Sequence, residues 1–104
     1  MNKTLKFRPH FIQHILAKSN GITTRLFDEK NIAAGDTVDF LASDTGKKFA
    51  TAKVTKTYER PFDQVAQEGR SPTGLYEQYR NYYQRLIEPT TPMKFIYFDI
   101  VQNQ

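Results

Sequence analysis

Arg25 lies two residues after Thr23, and in a strand that spacing sends both side chains to one face. A guanidinium there offers a two-pronged donor to a phosphate or a nucleobase edge, beside a hydroxyl that can donate or accept. The competing use of Arg25 is an ion pair with Asp28, Glu29 or Asp36, and at this level both readings stay open. Further along, Tyr76, Tyr79, Tyr82 and Tyr83 interleave with Arg80 and Arg85, a mixture that can stack bases and hold phosphates. Tyr79 and Tyr82 fall on a helical stripe with Leu75 and Leu86, which assigns them to core packing. Tyr76 and Tyr83 share a flank nearer the solvent and, with Arg80, are candidate binding residues. His10 and His14 stand four apart, but Phe11-Ile12-Gln13 separates them without the glutamate of a zinc protease, and no third ligand is evident. Neither a metal nor a cofactor is expected.

The elements that must position these groups follow from periodicity. Leu5 and Phe7 alternate with Lys6 and Arg8 as in a half-buried strand, and Pro9 suits the first turn of a helix. That helix carries Phe11, Ile12, Ile15 and Leu16 on one face and runs through Lys18, before Ser19-Asn20-Gly21 breaks it. Ile22–Phe27 is rich in β-branched and aromatic residues, a second strand. Thr37–Ala42 and Phe49–Tyr58 alternate on either side of the Asp44–Lys47 turn cluster, which predicts an antiparallel hairpin. Pro61 ends the long strand, Phe62–Gln67 fits one or two helical turns, and Glu68–Gly74 reads as a loop. A helix bearing the Leu75–Leu86 stripe and a last strand, Met93–Val101, complete the chain. Sequential strands with few helices between them imply a mainly antiparallel, curled sheet in an α+β domain with two main helices.

The 104 residues suit a single domain over 1–104. The chain has no cysteine, which excludes disulfides, thiolate nucleophiles and cysteine-ligated metals. Fifteen lysines and arginines against eleven acids leave a net charge of +4, an excess that favours polyanionic partners. The amino terminus lacks the apolar run of a signal peptide, and no stretch reaches the roughly 20 apolar residues that span a bilayer. A soluble, cytoplasmic protein without a membrane partner is the expectation.

Taken in order, Leu5-Lys6-Phe7, Ile15-Leu16-Ala17, Thr23 to Lys30 and Gly35-Asp36-Thr37-Val38 resemble the strand, helix, Gly-x-Lys-x-x-x-x-Arg and Gly-Asp signature of the ASCH family. Thr91–Phe98 is similar to the last strand of its small, stand-alone bacterial and archaeal members. The resemblance implies a PUA-like β-barrel with a cleft beside the first helix and second strand that binds RNA, a nucleotide or a modified nucleoside. Lys18, Asn20, Thr23, Arg25 and Glu68 would line it. Some small members hydrolyse the acetyl amide of N4-acetylcytidine with a lysine, a threonine and a glutamate. By position, the threonine falls on Thr23 and the glutamate on Glu68, while Asn20 stands where the lysine should be. A neutral amide cannot act as a base for a threonine hydroxyl, so the enzyme alternative requires Lys18 to take that place. A protein-interaction module with a silent cleft is the third reading.

Overall fold

The computed structural model describes residues 2–27 and 30–103. Its elements run β1 (Lys3–Phe7), α1 (Pro9–Leu16), β2 (Asn20–Leu26), β3 (Thr37–Ala42), β4 (Lys48–Pro61), α2 (Phe62–Gln67), α3 (Pro72–Tyr83) and β5 (Pro92–Asn103). The expected hairpin forms, with β3 and β4 antiparallel and Val38 opposite Ala52. β5 then pairs antiparallel with β4 on one side and with β2 on the other. β1 adds to β3 in parallel, the one parallel pairing of a five-stranded sheet ordered β1-β3-β4-β5-β2.

The sheet curls into a half-barrel, and β5 buries different faces along its length. Ile96 and Phe98 of β5 join Leu5, Phe7, Val38, Phe40, Ala52 and Val54 in the larger core, roofed by Ile12, Ile15 and Leu16 of α1. Phe40 is its centre, with the rings of Phe7 and Phe98 at 4.7 and 4.9 Å. Met93 of β5 and Leu26 of β2 instead meet Phe62, Ala66 and Ile87 in a second core under α2 and α3. Shifts of register at Thr51/Ala52 and Val54/Lys56 mark bulges, which strengthen twist in the long β4–β5 ribbon.

α3 departs from expectation at both ends. It begins at Pro72, inside the stretch read as a loop, because Ser71 caps it and its Oγ accepts from the Gly74 amide at 3.1 Å. It stops at Tyr83, where Gln84 turns left-handed with φ 56°. Leu86 therefore lies beyond the helix and 69% exposed, and the stripe that packs, half-buried, against the second core is Leu75, Tyr76, Tyr79 and Tyr83. α1 likewise ends at Leu16, short of Lys18, and Phe11 is turned away from the core at 48% exposure. Among the described residues, no helix is long and apolar enough to cross a membrane.

The Gly35-Asp36 pair serves the fold. Gly35 has φ 93°, and Asp36 Oδ2 accepts from Lys3 Nζ and from the Ala33 amide, both at 2.8 Å. Those bonds, with Lys3 first, hold the Asp36 carboxyl below the usual carboxylate range. A depressed folded-state pKa contributes stability above the unfolded value, and that contribution is lost as pH falls through the folded one. Asp36→Asn should therefore be less stable than wild type near neutrality, with the difference closing below about pH 4. Denaturant midpoints measured across that range test this; a constant difference would show that the carboxylate charge is not what matters.

Candidate functional site

β2 is an edge strand, paired to β5 alone. α1 leads into it and α3 packs along its outer side, so a cleft of about 500 Å3 opens over its free edge. The end of β1 supplies Lys6 and Arg8; α1 and its exit supply Phe11, His14 and Lys18; β2 supplies Asn20 to Arg25; α3 supplies Gln78, Tyr79, Tyr82 and Tyr83.

Arg25 forms the floor. Its Nη1 donates to Thr23 Oγ1 and to the Thr24 carbonyl, both at 2.7 Å, and its Nη2 donates to the Lys6 carbonyl at 2.9 Å. The last bond crosses from β2 to β1, the two open edges of the half-barrel. The guanidinium also lies 4.6 Å from the centre of the Phe7 ring. Among the described residues, three of its five N–H donors are thus engaged. Burial draws the Arg25 pKa down, and the nearby tyrosines oppose this. An arginine in such surroundings stays protonated, so the cleft floor is cationic.

Thr23 Oγ1 accepts from a cation, which leaves its own proton free to be donated outward. On the other side of β2, Tyr79 Oη lies 3.3 Å from Thr24 Oγ1 and Tyr83 Oη accepts from the Leu26 amide at 3.0 Å. Burial raises the Tyr83 pKa, against the pull of that bond and of Arg25. Arg8 reaches over the Tyr82 ring at 4.6 Å, linking the α1 and α3 walls across the mouth.

Lys18, Asn20, Thr23, Arg25 and Tyr83, all singled out in the sequence, line this one cleft. Glu68 does not: it ends α2, and its carboxylate holds Arg60 at 2.5 and 3.1 Å, which keeps its pKa below the ordinary range. Tyr76 is also elsewhere, against the Phe62 ring with its hydroxyl donating to Asp63 at 2.9 Å. Arg80 is exposed but outside the lining. The assignments of the tyrosines change with the helix register. Tyr79 combines core packing with a place in the cleft wall, and Tyr82, expected in the core, is 41% exposed. Of the acids weighed as partners for Arg25, Asp36 is bonded to Lys3, and Asp28 and Glu29 lie outside the described residues. His10 and His14 are exposed on the cleft side of α1, and no group of three potential metal ligands gathers among the described residues.

Lys6, Arg8 and Phe11 also line the cleft, although the sequence places them only as the polar side of a strand and the apolar face of a helix. Their signal was the cationic alternation of Lys6 and Arg8 running directly into the helix. A second cavity, about 300 Å3, lies beside Arg25 and mixes Glu59 and Glu88 with Lys94, a lining without a dominant charge.

No protein-family model matches the chain, and no curated protein matches it in sequence. Solved structures do match in fold. A DUF984-family protein from Enterococcus faecalis V583 superposes with a TM-score of 0.70 at 15% identity, over 100% of this chain and 82% of that one. The hypothetical protein PH0355 gives 0.68 at 22% identity, over 97% and 100%. The ASCH domain from Lactobacillus crispatus JV V101 gives 0.58 at 16% identity, over 88% and 70%. The curled, mostly antiparallel half-barrel with its three helices is thus similar in fold to that ASCH domain.

Proposed function

We propose that this ASCH-like domain binds RNA, a nucleotide or a modified nucleoside in the cleft over β2. The observation that carries the reading is the company the lining keeps. Lys6, Arg8, Lys18 and Arg25 converge there, and no aspartate or glutamate is among the described lining residues. Phe11, Ile22 and Tyr82, three of the five large hydrophobic side chains most exposed among the described residues, open into the same space. Cations focused in a concave, partly apolar site attract phosphate, and aromatic faces at its mouth stack bases. Its volume is within the range of small-ligand sites.

Binding of short single-stranded RNA should weaken steeply with salt, since each phosphate neutralised releases counterions. Lys18→Ala should lower affinity and reduce the slope of log K against log salt by about one, while Arg80→Ala, outside the cleft, serves as a control. Fluorescence-anisotropy titrations at several salt concentrations decide it. Affinity indifferent to salt and to Lys18→Ala would exclude phosphate recognition here.

The arrangement supports binding over amide hydrolysis. Thr23 Oγ1 touches a guanidinium that cannot take its proton, and Glu68, the proposed catalytic acid, is engaged with Arg60 outside the cleft.

A further inference from the structure

We infer that the cleft recognises a uracil-type base through the free backbone edge of β2, a reading that rests on the nucleotide-binding proposal and adds a base to it. In an antiparallel strand, the N–H and C=O of one residue point the same way, and successive residues alternate. The Ser19 carbonyl accepts from the Ile100 amide at 2.7 Å, so the odd-numbered residues face β5. The Leu26 amide donates to Tyr83 Oη and the Thr24 carbonyl accepts from Arg25, so the even-numbered residues face the cleft. Ile22 and Thr24 thus present N–H, C=O and N–H in order along about two residues of strand, roughly 7 Å. Among the described residues, none of these three groups has a hydrogen-bond partner.

The sequence donor, acceptor, donor calls for acceptor, donor, acceptor. A uracil edge meets the first two, with a ring carbonyl for the Ile22 amide and N3–H for the Ile22 carbonyl, while the Thr24 amide, roughly 7 Å along the strand, lies beyond the reach of its second carbonyl. Cytosine instead sets an unprotonated N3 against the Ile22 carbonyl, acceptor to acceptor. Asn20 repeats a donor and acceptor at the exposed entrance, whereas Ile22 and Thr24 lie between Tyr79 and the Arg25 floor. An added peptide strand is a poorer occupant, because Arg25 and Tyr83 already take the edge at the Thr24 carbonyl and the Leu26 amide.

The test compares uridine and cytidine 5′-monophosphate on the full chain. Wild type should prefer uridine by about tenfold, the scale of one unmade buried hydrogen bond. Ile22→Pro removes the first donor where no ladder bond is lost and keeps the carbonyl, so affinity for the uridine nucleotide should fall about tenfold, while Ile22→Ala keeps the preference. If the proline variant fails to fold, amide NMR on wild type decides instead. The uridine nucleotide should shift the Ile22 amide at concentrations about tenfold below those at which the cytidine nucleotide does. Equal binding of both nucleotides, or uridine-nucleotide affinity unchanged by Ile22→Pro, overturns the inference and leaves the nucleotide-binding reading standing. Binding of neither nucleotide nor short RNA overturns both.

Discussion

Arg25→Gln should weaken RNA binding about a hundredfold, the largest loss expected from any single substitution in the cleft. The argument starts from what the guanidinium touches. It is half-buried, spans from β2 to the Lys6 carbonyl and has two of its five donors not engaged among the described residues. Charge-assisted hydrogen bonds contribute about 1.5–3 kcal/mol each, and about 1.4 kcal/mol is tenfold in affinity. Two such bonds to a phosphate or base, lost together, account for a hundredfold once partial replacement by water is allowed. Arg25→Lys separates charge from geometry. A lysine keeps the positive floor but cannot hold Thr23, Thr24 and Lys6 in one plane, so an intermediate loss of about tenfold is expected. Both variants should also lose some stability, because the seam between β1 and β2 loses a bond, so affinity is compared only where circular dichroism shows native folding. Wild-type affinity in a folded Arg25→Gln would remove the floor from the account.

The second large effect concerns chemistry. Wild-type protein should turn over N4-acetylcytidine no faster than background, and Asn20→Lys should raise the rate. An asparagine cannot titrate, and general-base assistance is worth about a hundred- to ten-thousand-fold. The structure sharpens this expectation at Thr23, whose hydroxyl accepts from Arg25 and therefore has a cation, not a base, as its near neighbour. Lys18 does line the cleft, but it is exposed, so Lys18→Ala should change the amidase rate little. Robust hydrolysis by wild type, abolished by Thr23→Ala or Lys18→Ala, would move the enzyme reading to first place.

The parts of this molecule that local periodicity controls were legible in its residues, and those that depend on long-range packing were not. Alternation around Asp44–Lys47 sufficed for the β3–β4 hairpin, and the two-residue step from Thr23 to Arg25 put both on one face. Nothing local says that β1 lies parallel to β3, since that pairing bridges a helix and another strand. Glu68 was misplaced for a related reason: its position depends on how β4 runs into α2, which brings it to Arg60. The tyrosines show a different limit. Tyr82 and Tyr83 are neighbours in sequence, and a small shift of helix register decides which faces the cleft mouth and which reaches the β2 edge. Ser71-Pro72 carried the helix-start signal that fixes this register, but Thr73-Gly74 behind it imitates a turn.

The cleft is not alone among the described residues in combining cations with aromatic rings. On the outside of the β4–β5 ribbon, Tyr58 stacks on Phe95 at 4.9 Å, and Lys56 lies 5.5 Å from the Tyr58 and Tyr97 rings. Photo-crosslinking of wild-type protein to a short RNA carrying 4-thiouridine, followed by mass spectrometry of the crosslinked peptides, chooses between the cleft and this ribbon. The account predicts crosslinks on peptides holding Phe11, Ile22 and Tyr82, reduced in parallel by Arg25→Gln. Crosslinks confined to Tyr58, Phe95 and Tyr97 and unaffected by that substitution would contradict it.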